Sequence, residues 1–373
     1  MAWSLLGLED LKGTLGRIIK SGRFPHALLL TGPAKGGKFT LAVDLAKALN
    51  CVNPGGDGSP CGECLSCQKI AQGNHPDFMV CQPRGAAQII AIDDIRELRQ
   101  NLSYRPFEGK RRVAVIREAD CFQEVGGSSL LKTLEEPAPA TILILTAISE
   151  SRVMNTLVSR CVRLRVPPLE RARVLLALKE KRNLSGPRAE LMTGLAGGAL
   201  GAALTMDPEE TWTRWTALDR LWGLGLGGAA AGIKAVTEWS EGVLEELEKH
   251  RKTEQDESKK KTEDSPPGPA PTGGLRRAYL TSLVTFMRLW WRDTVVYAAT
   301  SDKTKMEGPP PTPAQRKWAS QLDMKQFGFY LSAIDQLDYS LNRNIRPEIV
   351  LADFWLSVLT RDVSGAVGPA KPK

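Results

Sequence analysis

No stretch of this 373-residue chain is apolar for the length a bilayer crossing requires, and a run such as Thr141 to Ile148 has only the size of a β-strand. No membrane role is therefore expected. The opening residues, MAWSLLGLEDLKG, lack a basic segment followed by an apolar core, so no secretory signal is expected either. Cysteine is scarce and odd in number: there are seven, four of them clustered. In a chain without a signal this argues against a disulfide scaffold and for the reducing cytoplasm. Charge is not extreme. A net +8, with 42% apolar and 25% charged residues, describes a globular protein with a modestly basic surface. Its length suits two or three domains, and the sequence carries no repeats.

What is present is organised around Ala27 to Thr40, ALLLTGPAKGGKFT. A short apolar run enters a glycine-rich turn, and a helical pattern follows from Phe39 to Leu49. Strand, glycine loop, lysine and helix together cradle a phosphate: loop N–H groups and the helix N-terminus face the anion, and a lysine neutralises it. Gly32, Gly37 and Lys38 fit the G-x-x-x-x-G-K-[ST] template. The next position does not, because Phe39 stands where a hydroxyl holds Mg²⁺. Thr40 is a poor substitute, since one helical step turns a side chain by about 100°.

A second metal ligand is also missing. The apolar run Arg112 to Ile116 ends in Arg117-Glu118-Ala119-Asp120. Where an acid should hold Mg²⁺ there is Arg117, although Glu118 remains at the place of the residue that orients water. Two independent gaps imply that the chain itself has lost ATP hydrolysis. Mg²⁺ is not expected, and binding of ATP or ADP is left open.

Around the loop, Leu5 to Lys20 has helical spacing with Ser4 as its cap. Short β-branched runs at Asp77 to Cys81, Arg112 to Ile116, Thr141 to Thr146 and Val162 to Val166 alternate with helical patterns such as Ile92 to Leu102 and Ser128 to Leu134. Such alternation predicts a parallel sheet covered on both faces. Residues 1–167 read as one α/β nucleotide-binding-like core, closed by Pro167-Pro168. A small helical segment over 168–207 and an all-α region over 208–362, rich in tryptophan, follow. The charged, then Pro/Gly-rich stretch about 250–274 reads as a mobile interruption, and 363–373 as a disordered tail.

Just after the loop helix comes Cys51-x9-Cys61-x2-Cys64-x2-Cys67, with glycines and prolines supplying turns over 51–67. Four thiolates complete a tetrahedral Zn²⁺ shell without an open position, so the site would be structural. An iron–sulfur cluster fits the spacing less well, and free or redox thiols are the remaining option. Cys81, Cys121 and Cys161 read as packing residues. A zinc-dependent nucleic-acid module would interleave basic or aromatic residues with the cysteines. Instead the stretch holds Asp57 and Glu63 and no residue of either kind.

PHALLLTGP (Pro25 to Pro33), the four-cysteine knuckle, GNHPD (Gly73 to Asp77), SLLKTLEEP (Ser129 to Pro137) and SRC (Ser159 to Cys161) occur in this order. With them the chain resembles the bacterial clamp-loader AAA+ subunits of the DNA polymerase III holoenzyme, over roughly residues 20–167. The resemblance implies an AAA+ module (α/β core plus helical lid) and an all-α collar that joins subunits into an open ring. Within that family the gaps at Phe39 and Arg117 resemble the delta-prime branch, a stator, rather than the hydrolysing gamma/tau branch, which is the alternative. The lid phrase Gly198-Ala199-Leu200-Gly201 agrees, with Gly201 where active subunits carry a sensor arginine. The resemblance further implies that Arg160 of the SRC phrase is an arginine finger reaching a neighbour's ATP. It implies gamma/tau and delta subunits, the sliding clamp and primed DNA as partners, with a place in the cytoplasmic, nucleoid-associated replisome.

Overall fold

The computed structural model describes residues 3–83, 90–122, 124–225, 274–321, 324–341 and 347–359, with 242–243, 245–246, 248–249 and 252 between. Nearly all of the stretch 250–274, and the tail 363–373, lie outside the described residues. The chain divides into two compact units, Met1–Val174 with Gly198–Leu204, and Leu175–Gly197 with Thr205–Lys373.

The first unit is built on five strands, β1 (Ala27–Thr31), β2 (Phe78–Cys81), β3 (Arg112–Ile116), β4 (Thr141–Ala147) and β5 (Val162–Arg165), all parallel in the order β2-β3-β4-β1-β5. Its central strands are buried end to end because helices cover both faces. The pleat divides their side chains. Ala27 and Leu29 of β1 join Leu143 and Leu145 of β4 on one face, against Ile95, Leu98 and Leu102 of α4 (Ile92–Leu102). Leu28 and Leu30 join Ile142 and Ile144 on the other, against Leu41 and Leu45 of α2 (Lys38–Asn50) and Leu15 of α1 (Glu9–Lys20). The edge strand β5 is mostly exposed and carries Arg163 and Arg165, charges that discourage further strand pairing.

Two helices differ from their expected extents. Helix α1 begins at Glu9 rather than Leu5, and Ser4 does not cap it. Leu5 is instead buried, and its N–H donates to the Asp44 carboxylate at 2.9 Å. Tertiary anchoring here outweighs helical spacing. The expected Ser128 to Leu134 helix is two short ones, α5 (Glu124–Ser129) and α6 (Leu131–Glu135), parted at Leu130. Helix α3 (Leu65–Gln72) follows the cysteines, and α7 (Asn155–Val158) precedes β5.

GNHPD proves to be a clamp. The Asp77 carboxylate is fully buried and accepts from the N–H groups of Phe107 (2.7 Å), Glu108 (2.8 Å) and Gly109 (2.7 Å). It also accepts from the Arg112 guanidinium at 2.9 Å. The Asp77 N–H in turn donates to His75 Nδ1 at 3.0 Å, which leaves the proton of a neutral imidazole on Nε2. Burial lowers the His75 pKa, so the neutral ring is the favoured form.

The second unit is helical. Helix α8 (Arg171–Arg182) crosses into it at Leu175, α9 (Pro187–Ala196) lies in it, and α10 (Leu200–Thr205) belongs to the first unit but for Thr205; it continues as α11 (Pro208–Gly225), α12 (Gly274–Thr300), α13 (Pro313–Gln321), α14 (Met324–Leu341) and α15 (Pro347–Leu359). Its centre is aromatic. Trp222 stacks on Trp290 with ring centroids 5.6 Å apart, and Trp291 on Tyr330 at 4.3 Å. Each such pair adds about 0.5–1.5 kcal/mol beyond its area burial. Trp318 Nε1 donates to the Trp222 carbonyl at 2.9 Å, and Trp290 Nε1 to Asp219 at 2.8 Å.

Replacing Asp77 by Ala leaves Arg112 with a buried, uncompensated charge and should destabilise the first unit by about 3–5 kcal/mol, read by urea unfolding. Burial opposes charge on Asp77, but its N–H donors and Arg112 prevail and hold its pKa below the usual 3.8. Its stabilisation is therefore full above the unfolded-state value and lost as pH falls through the lower folded value. Wild-type stability should drop more steeply than that of Asp77→Ala below about pH 4.

Candidate functional site: a phosphate loop and a cysteine knuckle

The loop between β1 and α2 is fixed by main chain before any ligand arrives. Gly32 N–H points at the carbonyls of Ala147 (3.3 Å) and Ile148 (3.2 Å), and a Cβ on Gly32 would lie 2.3 Å from the Val166 oxygen. Only glycine fits there. Gly37 immediately precedes α2, and Thr40 lies half-buried on its first turn. Lys38 Nζ donates to the Gly32 oxygen at 2.8 Å and the Pro33 oxygen at 2.7 Å. Burial lowers its pKa, with the negative charges of Asp120 and Glu118 working the other way.

Asp120 was not picked out from the sequence, although it lies only two residues past Glu118. Its Oδ1 is buried without a hydrogen-bond partner among the described residues. Thr146 at the end of β4 is the other residue missed, since its Oγ1 accepts the Glu118 N–H at 3.1 Å. Glu118 itself has φ 55 and an exposed side chain.

The two positions that lack metal ligands touch each other. The Arg117 guanidinium carbon lies 4.4 Å from the centre of the Phe39 ring, and Nη1 donates to Gln82 at 2.7 Å. The contact is a cation over an aromatic face, and neither side chain offers an oxygen to a metal ion. The Gly201 N–H donates to the Lys35 oxygen at the loop tip at 3.0 Å. A Cβ there would come within 2.6 Å of that oxygen, so Gly201 admits no sensor-type side chain without moving the loop.

Arg160 lies between α7 and β5, at the start of β5, whereas the loop follows the end of β1. These strands are parallel neighbours with Leu28 opposite Val162 and Thr31 opposite Arg165. Arg160 and its own loop are thus at opposite ends of the sheet, separated by a strand length of about 13–16 Å.

The knuckle brings Cys51, Cys61, Cys64 and Cys67 together with every Sγ within 4.8 Å of the others. Four sulfurs around a zinc at about 2.3 Å stand about 3.8 Å apart, so the cluster fits such an ion with little closure. Cys51 and Cys67 are buried, Cys61 and Cys64 half-buried. Cys61 N–H donates to Cys51 Sγ at 3.2 Å, and Cys64 N–H to Cys61 Sγ at 3.3 Å, contacts that favour thiolates. Burial disfavours charge on Cys64, yet N–H donors from Val52 and Cys67 and the neighbouring thiols bring its pKa down to about 6. Burial and the adjoining thiols push Cys67 the other way. Lys110 Nζ on the Cys51 oxygen (2.7 Å) and Lys20 Nζ on the Gly56 oxygen (2.6 Å) tie the knuckle to the core. Among the described residues no helix is long and apolar enough to cross a membrane.

A five-stranded parallel sheet with a glycine loop after β1, followed in the chain by a helical unit, has the make-up of a P-loop module of AAA+ type. Residues 7–170 match the family model described as DNA polymerase III, delta subunit. Through this region, which is less than half of its length, the chain is similar to subunits of DNA polymerase III. It is 39% identical over 142 residues to DNA polymerase III subunit delta' of Pseudomonas aeruginosa, covering 38% of this chain and 43% of that one. To subunit delta' of Bacillus subtilis it is 35% identical over 152 residues (41% and 45%). To subunit tau/gamma of Haemophilus influenzae it is 34% identical over 170 residues (46% and 24%). The matched stretch spans less than half the length of each of these relatives.

A double-mutant cycle of Phe39→Leu and Arg117→Gln should return a coupling of about 0.5–1 kcal/mol in unfolding free energy, the size of a partly exposed cation–π contact. A coupling of zero would mean that the two side chains merely lie near each other.

Proposed function

We propose that this chain is a delta-prime-like, non-hydrolysing subunit of a bacterial replicative clamp loader. It would sit in a hetero-oligomeric ring with gamma/tau and delta subunits and help place the sliding clamp on primed DNA. The observation that carries this reading is the Arg117–Phe39 contact, which fills both Mg²⁺-ligand positions with one cation–π pair. In this reading residues 1–167 form the core, 168–207 the lid and 208–362 the collar. DNA would be met through the assembled ring, mostly at phosphates. A second reading, a gamma/tau-like ATPase, has in its favour the retained Lys38 and Glu118 and the similarity to tau/gamma.

Arg160 is assigned as a finger acting in trans. An always-charged planar fork stabilises charge on a transferring phosphoryl group, and its position at the sheet end away from its own loop suits that role. Cys51, Cys61, Cys64 and Cys67 would hold structural Zn²⁺, whose double charge offsets four converging thiolates.

In a reconstituted clamp loader, Arg160→Ala should leave assembly intact and abolish the DNA-stimulated turnover of one adjacent site, while the isolated chain hydrolyses no ATP. Hydrolysis by the isolated chain would favour the gamma/tau-like reading instead. Metal analysis of the purified chain should find zinc, and Cys67→Ser or a strong chelator should remove it with a loss of several kcal/mol of stability.

A further inference from the structure

Two motifs far apart in the chain meet at Arg160. Its Nε donates to Glu135 Oε1 at 2.8 Å, and Nη2 donates to the same oxygen. Its Nη1 donates to the Thr156 carbonyl at 2.9 Å and to Ser159 Oγ at 3.4 Å. Glu135 closes α6 within SLLKTLEEP, and Thr156 belongs to α7, so elements on either side of β4 hold one guanidinium. Of the five N–H donors of an arginine, these contacts leave a single Nη2–H uncommitted.

We propose that Glu135 is the positioning residue of Arg160: it fixes the plane and heading of the guanidinium so that the remaining Nη2–H is presented to a phosphoryl oxygen of the neighbouring chain. This rests on the reading of Arg160 as a finger in trans. A long side chain that is 34% exposed would otherwise sample many rotamers. Reach into a second subunit rewards a group whose direction is set beforehand, because small misplacements of a catalytic group cost large rate factors. The carboxylate is itself 50% exposed, so water screens its charge while its hydrogen bonds retain their direction. The inference also gives SLLKTLEEP a role beyond packing, as half of a two-part device whose other half is SRC.

The experiment compares Glu135→Ala, Glu135→Gln, Arg160→Ala and the double variant in the reconstituted, DNA-stimulated complex, with assembly checked by gel filtration. The share of turnover lost in Arg160→Ala defines the Arg160-dependent site. Glu135→Ala should lower kcat of that share about tenfold with KM for ATP unchanged. Glu135→Gln, which keeps an oxygen acceptor, should recover most of it. The double variant should be no slower than Arg160→Ala. Wild-type or raised turnover in Glu135→Ala, or full additivity with Arg160→Ala, would overturn the positioning role. An intact ring at wild-type turnover with Arg160→Ala would overturn the finger reading itself, a different result from a neutral Glu135→Ala.

Discussion

Everything in the N-terminal unit depends on the parallel pairing of β1 with β4 and β5. Parallel neighbours need crossovers, crossovers bring helices to both faces, and the central strands must then be apolar throughout, as ALLLT and TILILTA are. The same pairing gives the sheet a polarity. Phosphate loop, Glu118 and Thr146 collect at the ends of the strands, whereas Arg160, Glu135 and the Asp77-held loop over 105–109 collect at their beginnings. A unit with a cradle at one end and a cation at the other is suited to head-to-tail contact, in which unlike surfaces meet.

Beside the main-chain cradle of the loop lies a cation–π pair. The glycine turn is held where Gly32 packs against Val166, whose oxygen leaves no room for a Cβ. Lys38 persists with its ammonium on loop carbonyls. The Arg117 guanidinium lies on the Phe39 ring, and the pair is held without any carboxylate or hydroxyl. The main-chain contact of Gly201 with Lys35 ties the segment over 198–204 to the loop.

Much of this was legible in the sequence because it is local. Strands β1, β3 and β4 are runs of apolar and β-branched residues, the glycine loop has fixed spacing, and the cysteines announce their cluster by proximity and turn residues. What was not legible depends on long-range contact. Leu5 fits a helical stripe, yet Asp44 draws its N–H into a different conformation. Asp120 and Thr146 gain meaning only when β3 and β4 lie side by side. The hold of Glu135 on Arg160 spans 25 residues and involves two short helices that no periodicity defines. Nor does composition reveal that Leu175–Gly197 packs with the C-terminal helices while Gly198–Leu204 packs with the core.

The tryptophan-centred packing has a spectroscopic consequence. Of the nine tryptophans only Trp3 precedes residue 175; the other eight belong to the C-terminal unit. Trp222, Trp290, Trp291 and Trp318 form a single connected set of ring contacts. Intrinsic emission of this protein therefore reports almost entirely on that unit, with energy passing readily among indoles a few ångströms apart. The N-terminal unit contributes one indole, Trp3, packed against the face of the sheet that carries Leu28 and Leu30.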